Sequence, residues 1–188
     1  MTIYIGVDQS LAATGIAVIR DNREVLHVSH TPTKPDAKIR KRDGVWRGLS
    51  KAADDGQRVD AVAQALVVAY RMANSGDYAG ERVVIGIEAH SGSKSALAAK
   101  CAGLACGAVR GVCYALGIEP VVVTARDAKK ALAGSSWASK GDNVLMASLR
   151  FGPIVKRAAG TKRDRNAKAQ EAIADALAIA VALMTRAA

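Results

Sequence analysis

The chain has 188 residues, with 27 Lys and Arg against 17 Asp and Glu, a formal net charge of +10 and a pI near 9.8. That length suits one domain that buries its own core without disulfide or metal staples, and 50% hydrophobic residues exclude a wholly disordered chain. Aromatics are only 4% and much of the apolar share is Ala, so closely packed helices are expected rather than a β-sandwich.

Three short strands come first: residues 3–8 (IYIGVD), 14–19 (TGIAVI) after a polar turn, and 25–29 beyond Asp21-Asn22. Their short connections imply an antiparallel meander. The basic stretch 31–56, with two Pro and little periodicity, is a long excursion. A helix is predicted over 60–72, with Val62, Ala65, Leu66, Ala69 and Tyr70 on one face. Residues 83–88 read as a buried strand ending in an acid. Ser91-Gly92-Ser93 then turns and caps a helix over 94–116, which Gly117 stops. Residues 120–124 are a further strand, followed by a short helix over 126–132, a loop over 133–140 and a helix over 142–150. A second basic excursion, 153–168, leads into a last helix over 169–185. The order βββαβαβ followed by helices implies an α/β fold, a mixed sheet with helices on its faces.

The positive charge is concentrated. Between residues 34 and 48, Lys34, Lys38, Arg40, Lys41, Arg42 and Arg47 face only Asp36 and Asp43, while between 153 and 168, Lys156, Arg157, Lys162, Arg163, Arg165 and Lys168 face only Asp164. These two stretches hold nine of the ten excess charges and fit a polyanion partner, binding with a steep salt dependence. Neither repeats apolar residues on one helical face, so a membrane surface is not the expected partner. The longest apolar run, 172–184, contains Asp175 and is too short to span a bilayer, and the start MTIYIGVDQS has no signal-peptide pattern. Cys101, Cys106 and Cys113 lie in one Ala/Gly-rich helical stretch without C-x-x-C spacing. They are expected as buried thiols in a reducing cytoplasm, not as a disulfide or zinc framework. His27, His30 and His90 accompany no nucleophile elbow.

Four acids sit where acids are costly. Asp8 and Glu88 end apolar strands, and Glu171 and Asp175 share one face of a helix otherwise made of Ala, Ile, Leu and Val. A buried carboxylate without a partner protonates, and a divalent cation would partner all four. Acid clusters holding two Mg²⁺ or Mn²⁺ ions catalyse in-line phosphodiester hydrolysis.

These residues resemble a known family. GVDQSLAATGIAVI is similar to the first strand and hairpin of RuvC-type Holliday-junction resolvases, members of the RNase H-like superfamily. IEAHSGSKSALAAKCAGLACGAVRGV resembles their second-acid strand and the helix after it. ARDAKKALAGSSWASKGDNV resembles their basic loop-helix region, and EAIADALAIAVAL their closing acidic helix. The resemblance covers most of the chain in the right order and is closer to divergent phage-type members. It implies an RNase H-like mixed five-stranded sheet flanked by helices, in one nuclease domain over 1–188. It also implies a crossover-junction endonuclease using Mg²⁺ or Mn²⁺, two ions per site, acting in DNA recombination and repair. Asp8, Glu88 and Asp175 then become catalytic metal ligands. Lys129 is a catalytic lysine beside the scissile phosphate, and Lys140 touches the junction backbone. The family's usual fourth ligand falls at Ala172, so Glu171, one residue back, is expected to reach the metal. Arg40, Lys41, Arg42, Lys162, Arg163 and Arg165 are the expected DNA grip.

Two departures qualify the pattern. Gln9-Ser10 follow the first acid where Pro-Gly is common, and no aromatic follows Glu88, leaving Trp137 as the nearest wedge by loop position. The family dimerises through a helix at 94–116, which implies a homodimer cutting both strands of a four-way junction. The expected setting is cytoplasmic, in a bacterium or in the host of a phage, with no membrane partner. Broader cleavage of Y-forks, flaps and replication intermediates is the alternative enzyme, and a non-catalytic junction-binding protein the alternative of another class.

Overall fold

Side chains alternate across a strand, and here that alternation sorts two cores. On strand β1, Thr2–Asp8, Ile3, Ile5 and Val7 point to one side of the sheet, while Tyr4 packs on the other with Gly6 and Asp8 in step. The structure is a computed structural model and describes residues 1–21, 23–32, 40–42, 45–47, 54–90, 92, 95–152 and 163–187.

Strands β2 (Ala13–Arg20) and β3 (Val25–Pro32) complete the antiparallel meander. Two short strands, β4 (Arg40–Arg42) and β5 (Val45–Arg47), pair as an antiparallel ribbon inside the first basic stretch, where no strand was predicted. Helix α1 (Asp55–Ala73) leads to β6 (Arg82–Glu88), which joins β1 in parallel. Helix α2 (Ala96–Ala115) then leads to β7 (Val121–Val123), parallel to β6. The main sheet runs β3-β2-β1-β6-β7. Helices α3 (Ala125–Ala133), α4 (Lys140–Phe151) and α5 (Arg163–Ala187) close the chain.

Helices α3, α4 and α5 cover one face, with Ile173, Leu177 and Ile179 of α5 among its fully buried side chains. Helix α1 and one edge of α2 cover the other, with Val62, Leu66, Val109 and Cys113. Each such Ile or Leu contributes about 1.5–3 kcal/mol by leaving water. Helix α5 lies directly on the strand backbones. A Cβ at Gly6 would stand 2.0 Å from the Ala176 carbonyl oxygen, and one at Gly15 2.0 Å from that of Ala172. Only glycine permits that approach.

The helix starts differ from expectation for reasons of composition. Helix α1 begins five residues early because Asp54 caps it, accepting from the Gln57 amide at 2.8 Å, ahead of a polar first turn with no apolar period. Lys140 is not a loop residue but the first residue of α4, since Ser139 and Asp142 form a capping box. Helix α5 begins at Arg163, six residues before the predicted start, so the end of the second basic stretch is helical. The cysteine expectation is corrected too: Cys113 is buried, but Cys101 and Cys106 are half-buried. Their helix α2 buries only Ala105, Val109 and Cys113, leaving Leu97 and Tyr114 exposed. By length and a mean hydropathy of 1.4 it is also apolar enough to cross a membrane, although it carries Lys100 and Arg110.

Candidate active site

Register brings the acids together before any side chain is considered. Val7 pairs with Ile87 in the parallel ladder, so Asp8 and Glu88 leave adjacent strand ends on the same face, the face that α5 covers. Helix α5 is held on that face by Ala172 and Ala176, which rest on Gly15 and Gly6. Asp175 therefore arrives opposite the two strand-end acids. The Asp8 carboxyl lies within electrostatic reach of both Glu88 and Asp175.

Charge and burial compound one another here. The Asp8 carboxyl is held well above its usual range, first by burial and then by the Asp175 and Glu88 charges, with Lys140 opposing. Glu88 is raised by burial and by Asp175, against His90, Lys140 and Lys129. Asp175 is raised chiefly by burial, while the Asn143 hydrogen bond and Lys140 pull it back. Three like charges that oppose one another's ionisation require positive charge to coexist.

A cleft of about 210 Å³ opens beside them, lined by Glu88, Lys129, Lys140, Asn143 and Asp175 among others. Neither Asp8 nor Glu171 lines it. Glu171 accepts a hydrogen bond from Lys140 Nζ at 3.1 Å, and this bond raises the Lys140 ammonium above its usual range. Among the described residues, no three His, Cys, Asp or Glu side chains stand close enough to hold an ion as placed. The donor set still fits a hard divalent cation: carboxylate oxygens from three elements, and a buried Asn143 oxygen with no hydrogen-bond partner.

Of the other residues singled out in the sequence, Trp137 is 82% exposed in the turn between α3 and α4, with the Arg126 guanidinium 5.2 Å from its ring centroid. Arg40, Lys41 and Arg42 form β4, and Arg163 and Arg165 lie in the first turn of α5. Lys162 falls outside the described residues. His90 stands exposed beyond Glu88, whereas His27 and His30 are in β3, lowered from their usual values by burial.

Two carboxamides escaped the sequence reading. Gln9 donates from Nε2 to the Glu88 carbonyl at 2.6 Å and accepts from the Glu88 amide at 3.0 Å. Its side chain thereby continues the β1–β6 ladder one step past the strand ends. On the far side of the same segment the Ala89 amide donates to the Val123 carbonyl at 2.8 Å, so the backbone around Glu88 is held from both flanks. Asn143 donates from Nδ2 to Asp175 Oδ1 at 3.2 Å. The position of Gln9 beside an acid was the one available signal. Asn143 offered only its place three residues after Lys140, on the same side of a helix.

No protein-family model matches the chain, and no curated protein matches it. Solved structures do. T. thermophilus RuvC in complex with a Holliday junction substrate superposes with a TM-score of 0.68 at 19% identity, over 97% of this chain and 92% of that one. A Thermus thermophilus RuvC structure superposes with a TM-score of 0.63, also at 19% identity, over 96% and 92%. The chain therefore has the RuvC fold, an RNase H-like five-stranded mixed sheet flanked by helices.

Proposed function

We propose that this protein is a metal-dependent, structure-selective DNA endonuclease that resolves four-way junctions by paired phosphodiester hydrolysis. One observation carries the reading: three acids from β1, β6 and α5 meet on one face of a RuvC fold, beside a cleft that also holds Lys129 and Lys140. Asp8, Glu88 and Asp175 would hold Mg²⁺ or Mn²⁺, two ions per site. Such ions, when bound, polarise the phosphoryl oxygens and stabilise charge during in-line displacement.

The chain's own residues do the rest. The Gln9 clamp fixes the Glu88 backbone against Asp8, and Asn143 orients Asp175. Lys129 and Lys140 line the cleft, where ammonium groups neutralise the scissile phosphate as charge builds on it. Glu171 accepts a hydrogen bond from Lys140 and so fixes where that ammonium sits. The basic ribbon and the start of α5 grip the flanking backbone through phosphates, and Trp137 serves as the wedge against an unstacked base.

The exposed apolar face of α2, with Leu97 and Tyr114, supports a homodimer whose two sites cut two strands. We place this activity in the cytoplasm. Incubating the folded protein with Mg²⁺ and a synthetic four-way junction, a Y-fork or linear duplex tests the proposal. It predicts paired nicks in the junction, with little cutting of duplex. Equal or faster cutting of the Y-fork favours a broader debranching nuclease, a reading supported by the missing aromatic after Glu88. Metal-independent binding with no cutting of any substrate refutes both and indicates a junction-binding protein.

A further inference from the structure

Asn143 is 1% exposed and lines the acid cleft beside Glu88 and Asp175. Its Nδ2 donates to Asp175, and its Oδ1 is buried with no hydrogen-bond partner. A buried carbonyl oxygen in that condition is costly, and such groups in native proteins are generally completed by water or an ion. A Leu of similar size would carry no such cost.

The surrounding groups narrow what completes it. An amide joined to a carboxylate by one N–H···O bond leaves two further oxygens, one on each partner, with no proton between them. Lys140, one turn back on α4, is engaged by Glu171, and Lys129, the other ammonium lining the cleft, makes no hydrogen bond to the Asn143 oxygen. Glu88 and Asp175 line the cleft with Asn143, Asp8 is coupled to both of them, and all three are acceptors when ionised. A hard divalent cation takes carbonyl and carboxylate oxygens together, and it would satisfy the Asn143 oxygen and the acids at once.

We propose that Asn143 supplies a neutral oxygen ligand to the cation site of Asp8, Glu88 and Asp175, filling the role for which the sequence suggested Glu171. The inference rests on the nuclease reading, but it fails separately. Junction cutting tests the reading, whereas ion binding without DNA tests Asn143.

Mn²⁺ binding to the full chain is measured by calorimetry for the natural protein, Asn143→Leu, Asn143→Asp and Glu171→Gln, each checked for native circular dichroism. Asn143→Leu weakens Mn²⁺ at least about tenfold. Asn143→Asp, which keeps an oxygen there, retains it, and Glu171→Gln weakens it less than Asn143→Leu does. Natural Mn²⁺ affinity in Asn143→Leu overturns the proposal, as does a natural protein that binds no Mn²⁺ or a loss confined to Glu171→Gln. If Asn143→Leu does not fold, the side-chain amide signal of Asn143 in ¹H–¹⁵N spectra decides, identified by its disappearance in Asn143→Asp. Mg²⁺ shifts that signal if Asn143 is a ligand, and an unmoved signal overturns the assignment.

Discussion

Gly6→Ala tests the packing that places Asp175 opposite Asp8. The added Cβ would stand 2.0 Å from the Ala176 carbonyl oxygen and 2.6 Å from the Ala180 amide nitrogen. Real Cβ atoms essentially never come within 3.0 Å of such neighbours, so α5 must retreat from β1 by about 1 Å. Both obstacles are backbone, and no rotamer change relieves them. Overpacking of this kind costs about 1–3 kcal/mol, which for a chain of this size lowers Tm by about 2–12 °C. Asp175 rides on the displaced helix, and a misplacement of 1 Å costs about 100-fold in rate. Gly86→Ala is the comparison, because its nearest contacts are side-chain atoms, Leu183 Cδ1 at 2.7 Å and Ile179 Cγ2 at 2.9 Å, rather than helix backbone. Thermal melts and single-turnover cleavage of a four-way junction read both effects. If Gly6→Ala melts and cuts as the natural protein does, or if Gly86→Ala is the more damaging, then α5 is not seated on β1 in the way argued.

Three further outcomes follow from the site. Asp8, Glu88 and Asp175 titrate above their usual range, so between pH about 4 and their raised values the folded chain binds more protons than the unfolded one. In metal-free buffer, stability should therefore fall as pH rises through that window. Asp8→Asn should flatten the fall and raise Tm at neutral pH, and pH-dependent melts check this. Gln9→Leu leaves the Glu88 amide and carbonyl unpaired and should cost about 2–4 kcal/mol in urea denaturation. Trp137→Ala, at a site 82% exposed, should change stability by less than about 0.5 kcal/mol. In filter-binding assays it should weaken branched-DNA binding by about 1–3 kcal/mol if the ring stacks on a base.

Much of the fold is legible in strand composition and helix caps. The β-formers of residues 3–8 and 83–88 end in Asp8 and Glu88, while the register that puts both acids on one face, Val7 beside Ile87, comes from strand pairing. The second half of helix α5 reads as core because Ala, Ile, Leu and Val fill nearly every position from 172 to 183. What stayed hidden depends on contacts distant in sequence. The seating of α5 on Gly6 and Gly15 needs the tertiary fold to give those glycines meaning. Gln9 and Asn143 carry no charge and no motif, and they matter because a partner 79 residues away in one case and 32 in the other offers the matching group. Polar first turns hid the starts of α1 and α5, where apolar periodicity fails while the backbone is already helical.

The most direct test of the account separates grip from cutting. Natural protein, Asp8→Asn and Asp175→Asn are each given a labelled four-way junction, with binding and strand cleavage followed in the same Mg²⁺ buffer. The account predicts that both variants bind the junction at least as tightly as the natural protein and do not cut it. Cleavage by either variant at the natural rate would contradict it, as would loss of binding in step with loss of cutting.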